Sequence, residues 1–154
     1  MQETPANESR TMTSELDQAE SDLNKEGHNV AMLRQLAGAL PRVSEESLGS
    51  AIAEFHNFGG RFPYWADCDV GALVLEDVAD DMLPGPRRAL LYQNAAYRAQ
   101  WCASAATAGG EGMARSLHLE RVRAKLRAEP AAPGGRGTVA RVDDANAHDG
   151  PAPR

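Results

Sequence analysis

The stretch DVGALVLEDVADDM, residues 69–82, decides the fold class of this 154-residue chain. Val70, Leu73, Val74 and Val78 recur at a spacing of three and four, which lines one face of a helix. The run Ala72-Leu73-Val74-Leu75 would serve equally well as a buried strand, because a short apolar run has no period of its own. Asp67 or Asp69 ahead of it is a ready N-cap, and with the three-four spacing this predicts helix. Asp77, Asp80 and Asp81 then crowd the C-terminal end, where negative charge opposes the helix dipole. Such a misfit is either hydrated or marks a place that meets a cation.

The segment FHNFGGRFPYWADCD, residues 55–69, leads into that helix and holds five of the eight aromatic residues. Pro63 keeps it from being helical throughout. It reads as an aromatic junction between two helices. The helix before it is signalled by Ser44 as N-cap, Glu45 and Glu46 in the first turn, and Leu48, Ile52 and Phe55 on one face. Its predicted span is about 45–58, closed by Gly59 and Gly60 in the left-handed conformation.

Further towards the N-terminus, Leu16, Ala19, Leu23, Val30, Leu33, Ala37 and Leu40 form one helical stripe, with Thr13 as a starting cap. Gly27 and Asn29 interrupt it as a C′ residue and a new N-cap, which predicts two helices, about 14–26 and 30–40. Residues 1–12 carry no periodicity and read as a disordered tail.

On the other side, Pro84-Gly85-Pro86 ends the decisive helix and starts the next. Residues 87–107 are the longest helical run, with Leu90, Asn94, Tyr97 and Trp101 on one face, and are expected to form the central helix. After a glycine-rich break, residues 113–128 set Met113, Leu117, Leu119, Val122 and Leu126 as an apolar stripe. Arg115, Arg121, Arg123, Lys125 and Arg127 are read as the opposite, basic face. Residues 129–154 are rich in Gly, Pro and Ala and read as a second disordered tail. The expected fold is all-α: a compact bundle of five or six short helices forming one domain over 13–128.

Charge divides the chain. Residues 1–83 carry sixteen acidic and five basic side chains, and residues 84–129 carry three acidic and eight basic. Acidic and basic helices facing each other is the simplest account; a basic face for an anionic partner is the sharper one. The net charge of −6 weighs against nonspecific nucleic-acid affinity, which depends on neutralising phosphates. No stretch of 18 apolar residues and no signal peptide is present, so a soluble, cytoplasmic protein with reduced Cys68 and Cys102 is expected. Fourteen Arg against two Lys point to a GC-rich bacterial coding sequence.

The residues that could carry chemistry gather at the junction. Glu54, His56, Asp67, Cys68 and Asp69 are of ligand type, but none is spaced to share a helix face, and no CxxC or HExxH pattern occurs. No metal or cofactor is expected. Cys68 lies near a helix N-terminus, which favours its thiolate, between two aspartates, which oppose it. The expected function is non-enzymatic: a small interaction or regulatory, adaptor-like protein. It would bind a protein partner through Arg61, Phe62, Tyr64, Trp65 and His56 together with the basic face of the last helix. Two alternatives stand beside it. One is a small enzyme or ligand-binding domain with its site among His56, Arg61, Asp67 and Cys68. The other is a nucleic-acid regulator using Arg115, Arg121, Arg123, Lys125 and Arg127. The short stripe of the first helices also allows a homodimer seam.

Overall fold

In the computed structural model, which describes residues 15–63, 68–105 and 110–130, all regular structure among the described residues is helical. The helices are α1 (15–25), α2 (Val30–Ala39), α3 (Glu45–Gly59), α4 (Val70–Asp80), α5 (Pro86–Ala105) and α6 (Gly110–Arg127). The expected tail over 1–12, Thr13 as a cap, and residues 131–154 of the tail expected over 129–154 lie outside the described residues; Glu129, expected in that tail, is instead paired with Arg88 at 2.9 Å.

Local chemistry sets the breaks. After α1, Gly27 takes φ +94° while the His28 amide donates to the Leu23 carbonyl and the Gly27 amide donates to Asn24. That paired bonding is a Schellman ending, and glycine accepts its left-handed residue without a Cβ clash. Asn29 then caps α2 by accepting from the Met32 amide at 3.0 Å, and Ser44 caps α3 by accepting from Ser47 at 3.2 Å. Asp69 caps α4 by accepting from Gly71 at 3.2 Å. The stretch at 70–80 is therefore helix, and not strand.

Burial explains why that stretch was ambiguous. Every residue from Val70 to Glu76 is buried, so the first two turns of α4 are enclosed on all sides. This corrects the expectation that the fifth helix is central. α4 occupies the middle; α5 packs along both α4 and α6, while α2 and α3 cover α4 elsewhere. The core joins Leu16, Leu33 and Leu40 from α1–α2, Ile52 and Phe55 from α3, Leu73 and Leu75 from α4, and Leu91 and Tyr92 from α5. A smaller contact of Ala72, Ala99 and Leu119 seats α6, where short side chains let the helices approach closely.

Two further readings are corrected. Gly60 is right-handed (φ −68°), so the Gly59-Gly60 pair does not close α3 through a left-handed turn. The apolar stripe of α6 is narrower than its spacing implied. Met113 and Leu117 are 66% and 62% exposed, while Arg115 and His118, 8% and 6% exposed, lie inside. No described helix is long and apolar enough to cross a membrane.

Candidate functional site

Three places concentrate chemistry. The first lies under the aromatic junction. Asp69, 2% exposed, receives the Arg98 guanidinium through Nε at 2.6 Å and Nη2 at 3.3 Å. The same guanidinium donates to the Gly59 carbonyl at 3.1 Å and meets His56 Nδ1 at 3.2 Å. One cation thus joins the C-terminal end of α3, which favours positive charge, to the cap of α4. Gly59 and Gly71 form the walls of its slot. A Cβ on Gly71 would come within 2.9 Å of the Arg98 Cζ, and one on Gly59 within 3.2 Å.

The protonation of His56 follows from this wiring. Arginine only donates, so Nδ1 accepts, and Nε2 carries the hydrogen given to Asn94 Oδ1 at 2.9 Å. The Asn94 amide in turn donates to the Leu90 carbonyl. Burial, then the neighbouring Arg98 charge, lower the His56 pKa to about 4. His56 is a neutral strut with both ring nitrogens occupied.

The remaining junction residues do not converge on it. Phe62 is buried between His28 and Phe58, and Arg61 is exposed with its guanidinium 5.5 Å from the Phe58 ring centre. Tyr64, Trp65 and Asp67 lie outside the described residues. Cys68 is buried, and burial, followed by the Glu15 carboxylate, pushes its thiol far up and away from a reactive thiolate. Both cysteines are free thiols.

The second place is a clasp between α4 and α6. Glu76 is fully buried, and three side chains of α6 close on it. Arg121 binds both carboxylate oxygens at 2.9 Å, Lys125 binds Oε2 at 2.8 Å, and His118 Nε2 lies 3.1 Å from Oε1. Burial by itself would raise the Glu76 pKa. Hydrogen bonds from His118 and Arg121, with the Arg121 charge, outweigh it and hold the carboxyl far below the usual range. Lys125 also reaches Asp80 at 3.0 Å, and Arg121 reaches Glu15 on α1 at 3.2 Å.

Most of the predicted basic face is therefore committed within the protein. Arg121 and Lys125 neutralise α4, Arg115 is buried and donates to the Cys102 carbonyl, and Arg123 pairs with Glu120. Arg127 remains as an exposed cation in the last turn. The crowding of acid at the end of α4 has its cation in Lys125. Among the described residues no cluster of His, Cys, Asp or Glu is arranged to hold a metal ion.

The third place was missed by sequence reasoning. An open groove of about 760 Å³ runs between the C-terminal ends of α2 and α4 and the start of α5. Pro41, Val78 and Met82 are its apolar lining, together with Leu83, which is 86% exposed. Asp77, Asp81 and Glu45 are its acidic lining, and Arg42 and Arg87 its basic lining. Arg87 is held by the Leu40 and Val43 carbonyls and by Glu45. Burial raises the Asp77 pKa; Arg34, with a nitrogen 3.9 Å away, offsets this in part, and Asp81, Asp80 and Glu76 add to the rise. The signal for this place was the exposed Leu83 beside Pro84-Gly85-Pro86, which reads as ordinary linker. Comparison with known proteins finds no family model, curated protein or solved structure that matches this chain.

Proposed function

We propose that this protein is a binding protein, and that the groove between α2 and α4 receives a segment of a partner protein carrying an apolar residue beside Lys or Arg. The observation that carries this reading is the groove's chemistry: apolar Val78 and Met82 beside an exposed Leu83, and an acidic lining in which Asp77 meets Arg34 only at 3.9 Å, a cation it shares with Glu20. A cationic side chain there would meet carboxylates that repel one another. An apolar residue would cover Val78, Met82 and Leu83. Catalysis draws less support, since His56 has both nitrogens engaged and the Cys68 thiol is buried and protonated.

The test is selection of displayed peptides on the full chain. Enriched peptides should pair an apolar residue with Lys or Arg. Leu83→Asp, at an exposed position that leaves the core intact, should weaken them about tenfold. No enrichment, or enrichment indifferent to Leu83→Asp and to Asp81→Lys, would remove the proposal.

A further inference from the structure

We infer that Gly38 is the specificity-determining residue of the groove: its missing side chain leaves room for the partner's Lys or Arg side chain to reach Asp81. The inference rests on the groove being a peptide site, and it names where that site receives the cation.

Glycine within a helix costs stability against alanine, so its presence in α2 calls for a reason. Two ordinary reasons apply elsewhere in the chain. Gly27 holds a positive φ, and Gly59 and Gly71 make room for Arg98. Neither applies to Gly38. Its φ is not positive, and a Cβ built on it would meet nothing within 4 Å. Gly49 is the other helical glycine with such open space, but it lies exposed on α3, whereas Gly38 lines the groove.

The charges around that space say what it suits. Arg34 stands one turn before Gly38 on α2, and Asp77 stands one turn before Asp81 on α4. Arg34 gives Asp77 a cation at 3.9 Å. One turn further along each helix, α2 offers only glycine, and Asp81 has no ion pair among the described residues. Asp81 is also the C-cap of α4, where the helix dipole adds to the negative potential. Arg87 does not serve it, being bound to the Leu40 and Val43 carbonyls and to Glu45. Gly38 and Asp81 both line the groove, together with Val78 and Met82. A partner's cation received there completes a pattern that Arg34 begins, and a side chain at position 38 would take up its space from within.

The test takes an apolar-basic peptide selected on the full chain, and a second version with Gln in place of its Lys or Arg. Wild type should bind the basic version about tenfold more tightly. In Gly38→Arg the chain supplies the cation itself, and that preference should fall to about twofold. Gly49→Arg adds the same charge on α3 and should keep the full preference. Gly38→Ala should melt about 3 °C above wild type, as a better helix former in open space does. Equal preferences in Gly38→Arg and Gly49→Arg would overturn the inference and leave the groove as a peptide site. So would a Gly38→Ala or Gly38→Arg chain that melts below wild type, because the position would then have no room to give. If no selected peptide binds wild type, or binding is indifferent to Leu83→Asp, the groove falls and the inference falls with it.

Discussion

Glu76 and Asp77 are neighbours on α4, yet their carboxyl groups are driven in opposite directions. Glu76 turns into the bundle, where burial would raise its pKa but hydrogen bonds from His118 and Arg121 hold it far below the usual carboxylate range. Asp77 turns to the groove, where burial and its acidic neighbours raise its pKa. The difference separates two uses of charge on one helix. Inward carboxylates, Glu76 and Asp69, are satisfied by fixed cations and hold the helices together. At the groove Asp77 has only a partial counter-charge in Arg34, and its acidic neighbours Asp81 and Asp80 act against it.

Substitutions can break this contrast at its strongest point first. Arg98→Met should cost about 3–5 kcal/mol in urea unfolding, because it leaves Asp69 charged, buried and without its partner. A loss below about 1 kcal/mol would mean that water takes over the role of Arg98. Glu76→Gln comes next, at about 3 kcal/mol; Arg121 and Lys125 are 30% and 28% exposed and recover part of the loss by turning to solvent.

His56 gives a pH signature for the same inner side. Its folded pKa of about 4 lies below the ordinary 6.5, so the unfolded chain binds more protons between those values and stability falls with acid. From pH 7 to pH 5 its contribution should drop by about 2 kcal/mol, and a His56→Gln chain should lack that part of the slope. Asp77→Asn should give the smallest change. Stability should stay within about 0.5 kcal/mol of wild type, on the gaining side, since a disfavoured charge is removed. Binding of an apolar-basic peptide should meanwhile weaken about threefold. Equal destabilisation by Glu76→Gln and Asp77→Asn would erase the distinction between the two sides of α4.

Much of the fold was legible because local signals agreed with the global one. The Leu16-to-Leu40 stripe, the Gly27 break, the Ser44 cap and the Asp69 cap each stand in the structure where periodicity and capping chemistry place them. The central position of α4 was harder to read. Its unbroken apolar run has no polar face, and only packing on all sides distinguishes it from a strand. The sites were less legible still. Arg98 sits on an alanine-rich helix in the run AAYRAQW, and nothing in the sequence separates it from a solvated arginine. Glu76 did carry a signal, since a carboxylate inside LVLEDV implies a counter-charge. Part of the charge asymmetry between the halves is that pairing, drawn from Glu76 and Asp80 of α4 to Arg121 and Lys125 of α6. The groove arises from helix ends and linker residues, which have no period to betray them.

The glycine slot around Arg98 bears on how this sequence can change over evolutionary time. Position 71 has no room for a methyl group while position 98 holds a guanidinium, and position 59 is almost as confined. Drift at any of the three is therefore conditional on the others. A relative with alanine at 71 should carry a shorter side chain at 98, and with it an uncharged residue at 69. The linked loss of all three would mark a lineage that secures the junction between α3 and α4 by some other means.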